Sequence, residues 1–84
     1  MNWRIDIARD ARKELAALPQ QVQVRMAKAI LALEHNPFPP GAKKLKNRDG
    51  WRIRVGDYRV LYLVDGKAKS VGIGNIGHRR EIYR

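Results

Sequence analysis

Apolar and polar residues alternate on both sides of a two-residue break, Gly56-Asp57. Trp51-Arg52-Ile53-Arg54-Val55 precedes it and Tyr58-Arg59-Val60-Leu61-Tyr62 follows it. Period-two alternation around a Gly-Asp pair predicts a tight β-hairpin. The turn fixes the register: Val55 opposite Tyr58, Arg54 opposite Arg59, Ile53 opposite Val60 and Arg52 opposite Leu61. Successive side chains point to opposite faces of a strand, so Trp51, Ile53, Val55, Tyr58 and Val60 share one face. Arg52, Arg54 and Arg59 share the other. Like charges set directly across a sheet destabilise it. Three arginines in one patch therefore call for an anion, and phosphate matches the guanidinium fork.

The rest of the chain supplies a support for that hairpin. Trp3, Ile5 and Ile7 alternate with Asn2, Arg4 and Asp6, which predicts a half-buried strand over 2–7. Ala8, Ala11, Leu15 and Leu18 recur at helical spacing until Pro19, which stops one helix and suits the first turn of another. Between Gln20 and His35, Val22, Met26, Ile30 and Leu33 make a single apolar stripe. Helices joined this closely predict an antiparallel pair. Asn36 can cap the second, and Pro37 and Pro39-Pro40-Gly41 forbid its continuation. Residues 37–49 read as a long connection carrying Lys43, Lys44, Lys46 and Arg48. Asp65-Gly66 predicts a second hairpin turn of type I′, leading to a strand near 67–73. Gly72, Gly74 and Gly77 predict a bulge at its end.

The order β-α-α-β-β-β describes an α+β fold, a helical hairpin on one face of a mainly antiparallel sheet. Trp51, Ile53, Val55, Tyr58, Val60, Tyr62 and Val71 would face the helices, and the arginine face would stay open. With 84 residues, positions 1–84 read as one domain with a modest core.

Charge narrows the function. The net charge is +10, and residues 43–84 carry twelve Lys/Arg against four Asp/Glu. Such asymmetry points to a polyanionic partner. The basic half is strand-like rather than an amphipathic helix, which disfavours a membrane surface. There is no cysteine, hence no disulfide or thiolate metal site. The N-terminus lacks the apolar run of a signal peptide or membrane span, so a cytoplasmic protein is expected. Without a Gly-rich phosphate loop or His/Cys metal spacing, no cofactor or metal is expected.

The run Trp51–Tyr62, followed by Ile76-Gly77-His78-Arg79-Arg80-Glu81-Ile82-Tyr83, resembles the RelE branch of the RelE/ParE toxin superfamily, and the likeness covers essentially the whole chain. The resemblance implies a microbial-ribonuclease-type fold and one half of a bacterial or archaeal type II toxin–antitoxin pair. RelE-type members cut mRNA in the ribosomal A site. ParE-type members instead poison DNA gyrase and lack the nuclease residues. The implied partners are a RelB-like antitoxin, the ribosome and mRNA. Carried over by position, Arg52, Arg54, Arg59, His78, Arg79 and Tyr83 are the candidate catalytic residues. Lys43, Lys44, Lys46 and Arg48 are candidates for holding RNA phosphates. The chain departs from the family in having arginines at 52 and 54, where lysines are common, and in ending one residue after Tyr83.

Metal-free RNA cleavage uses the ribose 2′-OH as nucleophile. It attacks the adjacent phosphorus, expels the 5′-oxygen and leaves a cyclic phosphate. Arginines stabilise the charge on the phosphoryl oxygens but do not accept a proton, their pKa lying above about 12. His78 and Tyr83 are the two groups suited to proton transfer, and Tyr83 can alternatively stack on a base. Three readings follow: a ribosome-dependent endoribonuclease, a ParE-like gyrase inhibitor without nuclease activity, or a catalytically weakened homologue that binds RNA or antitoxin.

Overall fold

A computed structural model describes residues 2–78. Strand β1 (Arg4–Ile7) leads into helices α1 (Arg9–Ala16) and α2 (Gln20–Ala32), followed by β2 (Lys43–Lys44), β3 (Trp51–Val55), β4 (Tyr58–Asp65) and β5 (Ser70–His78). The strands make one five-stranded sheet in the order β1-β5-β4-β3-β2. Only β1 and β5 run parallel. This is the expected α+β fold, with one addition. The 37–49 connection contains β2, a two-residue strand that pairs Lys43 with Arg52 and Lys44 with Trp51.

The central hairpin has the register the alternation dictates, from Arg52 opposite Leu61 to Val55 opposite Tyr58. Of its two turn residues only Gly56 has a positive φ, +62°, the pattern of a type II′ turn. The second hairpin differs from expectation. Asp65 still belongs to the ladder, opposite Ser70, so the turn spans four residues rather than two. The Asp65 carboxylate accepts the N–H groups of Lys67 and Ala68 at 3.0 and 3.1 Å. That Asx-type bond draws the chain past the Asp-Gly pair, and Lys69, at φ +54°, takes the left-handed position.

Both helices lie on one face of the sheet. Met26, Ile30 and Leu33 meet Ile53, Val55, Val60, Tyr62, Val71, Ile73 and Ile76 in a single core. Each aliphatic side chain fully buried there contributes roughly 1.5–3 kcal/mol. The helix junction is tied by Gln23, whose Nε2 donates to the carbonyls of Leu18 and Ala16 at the end of α1. Those are the carbonyls a helix end leaves without intrahelical partners. Helix α2 stops at Ala32, three residues before His35. Asn36 does not cap it; its side chain accepts the Phe38 N–H at 2.9 Å and turns the chain into the proline segment.

Beyond Ile73, strand β5 runs past the end of β1, which pairs only with residues 70–73. Glu14 of α1 covers part of this edge, its Oε1 accepting the Ile76 N–H at 3.1 Å. No helix among the described residues is long and apolar enough to cross a membrane.

Candidate functional site

Cross-strand register arranges the face away from the helices into rows. One row runs Lys43, Arg52, Leu61, Asn75 across β2, β3, β4 and β5. The next runs Arg54, Arg59, Gly77 across β3, β4 and β5. Residues directly across a ladder share a face, so Arg52, Arg54 and Arg59 do stand together, with Lys43 as a fourth cation. Neighbouring strands are about 4.8 Å apart, so Arg52, Arg54 and Arg59 lie on adjacent positions of one face.

The four cations differ in exposure. Arg54 and Lys43 are exposed and Arg52 is half-buried. Arg59 is only 9 % exposed, with its Nε shielded from solvent. It stands opposite Gly77 on β5. Arg59 is thus built into the site floor, while Arg52 and Arg54 rise from it. Arg52, Arg54 and Lys43 also line a cleft of about 390 Å³ against Pro39, Pro40 and Gly41. Ala29 and Ala32 of α2 and Ile53 complete its lining, so this cleft lies at the β3 edge, between the helix and the proline segment.

The arginine face is not fully open, as the alternation alone suggested. The 45–49 loop crosses it. Leu45 and Arg48 line a small cavity with Leu61, Gly72 and Gly74, and Leu61 is only 3 % exposed. This apolar contact brings Arg48 onto the basic face. Lys46 is exposed on the same loop, beside Asn47, which takes a left-handed φ of +64°. Lys44 pairs with Trp51 and points to the other side of the sheet from Lys43.

His78 stands apart from the arginines. It pairs with Tyr58, and their rings meet edge-to-face at 5.6 Å. Tyr58 shares its face with Val60 and Ile76, so the register sends His78 to the helix side, away from the three arginines. The cause is the bulge: between Leu61 and Tyr62 the β4–β5 register shifts past Gly74. Arg79 and Tyr83 lie outside the described residues.

The same shift brings forward a residue the sequence reading passed over. Asn75 stands opposite Leu61 on the arginine face. The glycine-rich setting signalled a bulge, but not which side chain the bulge would present. No group of three His, Asp or Glu side chains that could hold a metal ion gathers among the described residues.

Residues 5–83 match the family described as the ParE toxin of type II toxin–antitoxin systems. A relative in Methanocaldococcus jannaschii, described as a putative toxin RelE1, is 30% identical over 100% of this chain and 98% of its own length. Among solved structures, the toxin–antitoxin complex RelBE2 from Mycobacterium tuberculosis aligns with a TM-score of 0.83 at 26% identity, covering 94% of this chain and 100% of the matched one. The archaeal RelE–RelB complex from Pyrococcus horikoshii OT3 aligns with a TM-score of 0.81 at 30% identity, covering 96% and 99%.

Proposed function

This chain belongs to the ParE toxin family of type II toxin–antitoxin systems, on its RelE branch, and we propose that it is a ribosome-dependent endoribonuclease that cuts mRNA in the A site. The observation that carries the reading is the row of Arg54 and Arg59 beside the row of Lys43 and Arg52. A purely structural surface does not gain from like charges set directly across a ladder. A scissile phosphate turns that cost into binding.

In this mechanism the ribose 2′-oxygen forms a bond to phosphorus as the bond to the 5′-oxygen breaks. The 2′-proton leaves to a base, and the departing 5′-oxygen gains one. Arg59, held in the floor by its strand neighbours, and Arg52 and Arg54 above it stabilise the negative charge that builds on the phosphoryl oxygens. Their forks also align the phosphate for in-line attack. Arg79 extends the electrostatic set and Tyr83 moves the proton or stacks on a base. Lys46 and Arg48, on the loop that crosses the face, and Lys43 hold flanking phosphates of mRNA, while Lys44, on the other side of the sheet, is left for a more distant phosphate of rRNA.

The partner that restrains the toxin is a RelB-like antitoxin. This is supported by structural neighbours solved as RelE–RelB or RelBE complexes. Messenger-end mapping after induction tests the activity: cuts inside translated frames are expected. Intact messages with inhibited DNA supercoiling would overturn the nuclease reading in favour of a gyrase inhibitor.

A further inference from the structure

We propose that Asn75 reads a nucleobase on the arginine face, adjoining the phosphate held by Arg52 and Arg59; the inference rests on the RNA-substrate reading above. The placement depends on the bulge. On β5 the ladder pairs Ile73 with Tyr62 and then Asn75 with Leu61, leaving Gly74 without an opposite number. Had the register continued unbroken, Gly74 would oppose Leu61, Asn75 would oppose Val60, and Ile76 would lie opposite Arg59. Asn75 would then point into the core, and Ile76 onto the basic face. The extra residue reverses both. Ile76 is 1 % exposed inside the core, while Asn75 is half-buried on the arginine side. Bulges commonly re-aim a side chain beside an active site.

Asn75 ends the row that begins with Lys43 and Arg52. It is also diagonal to Arg59, which pairs with Gly77 two residues further along β5. Diagonal neighbours of a ladder lie about 7–8 Å apart. A side chain at that remove from the phosphate-holding group reaches the base of the same or the next nucleotide. None of the side-chain hydrogen bonds among the described residues engages the Asn75 carboxamide. It therefore offers two donors and an acceptor to a ligand. A carboxamide pairs in bidentate fashion with the N6/N7 edge of adenine, and single-stranded RNA exposes such edges. Adenine is accordingly the base it favours.

The test uses the full chain labelled with nitrogen-15 and titrated with inorganic phosphate, AMP, GMP, CMP and UMP. The Asn75 side-chain amide signals should move with AMP more than with the other nucleotides, and should not move with phosphate alone. Asn75→Ala should weaken AMP binding about fivefold or more, the value of one bidentate base contact, and leave phosphate binding unchanged. Equal response to all four nucleotides, no response of Asn75, or no AMP binding would overturn the proposal. Messenger-end mapping with the same variant separates the two readings. Redistribution of cuts away from adenine with cleavage retained supports both. AMP preference in a wild-type protein that cuts no message supports Asn75 as the base reader and overturns the nuclease reading.

Discussion

The Tyr62 hydroxyl donates a 2.7 Å hydrogen bond to the Pro37 carbonyl, 25 residues away in sequence, and both residues are buried. The bond fastens the start of the proline segment to the middle of β4. Next to it the Phe38 ring meets Trp51 edge-on at 4.7 Å. Together the two contacts set the path along which the chain reaches β2 and delivers Lys43 to Arg52. Tyr62→Phe keeps the ring but leaves a buried carbonyl without its donor. It should destabilise the fold by about 1–3 kcal/mol, read from urea unfolding.

The same phenol gives an alkaline limit. Burial raises the Tyr62 pKa from 10.0 to about 12, because desolvation disfavours the phenolate. The folded protein therefore holds the proton more tightly than the unfolded chain does. Its contribution is fully present below pH 10 and is lost as pH rises from about 10 through 12. Unfolding free energy measured between pH 9 and about 12 should fall in wild type. In Tyr62→Phe that component of the fall should be missing; an identical slope would detach the effect from Tyr62.

The basic rows separate catalysis from folding. Arg54 is exposed, so Arg54→Ala should change stability by less than about 0.5 kcal/mol. If it stabilises charge at the phosphate, single-turnover cleavage on programmed ribosomes should drop roughly 10²-fold, the usual cost of one such donor. Arg52→Ala should behave similarly. Arg59 is buried, so Arg59→Ala should lower both activity and stability. Arg59→Lys retains the charge without the fork, and should recover stability better than rate.

His78→Ala tests whether its place on the helix side keeps it out of the chemistry. Its side chain meets Tyr58 on the helix side, so the substitution should leave cleavage near the wild-type rate. Loss of the ring contact should cost about 0.5–1.5 kcal/mol of stability. A collapse of cleavage with stability intact would return His78 to the chemistry.

Much of this arrangement is legible in short-range pattern. Alternation around Gly56-Asp57 is enough to pair Arg54 with Arg59, because a two-residue turn leaves one register. The helical stripe Met26, Ile30, Leu33 is likewise visible at period 3.6. What escapes the pattern is set by contacts distant in sequence. The Lys43–Lys44 strand forms because β3 offers it an edge, and nothing in two lysines signals that. Loop 45–49 covers Leu61 only once the sheet exists. The fate of His78 depends on one extra residue, Gly74, since a shift of one exchanges the faces of everything beyond it. Gly72, Gly74 and Gly77 announce irregularity without saying which one absorbs it.

Gly50 is where the loop that crosses the basic face meets β3, and its geometry disfavours a side chain. Its φ is +124°, and a Cβ there would lie 3.0 Å from the Tyr62 carbonyl oxygen and 3.2 Å from a methyl of Leu45. The carbonyl belongs to a central strand and yields little, whereas the Leu45 methyl is the far end of a side chain that can turn away. Gly50→Ala therefore combines an unfavourable backbone conformation with a clash, and should cost more than about 1 kcal/mol. The open position Gly66, where a Cβ meets nothing within 4 Å, is the control, and Gly66→Ala should cost less. The loss at Gly50 should also have a functional side. If the strain is relieved by lifting the 45–49 loop, Leu61 becomes exposed and Arg48 leaves the arginine face, so RNA affinity should fall and its salt dependence should weaken by about one phosphate contact. Affinity measured over a range of salt at a temperature where the variant remains folded distinguishes that outcome from a simple loss of stability, which would leave the slope unchanged.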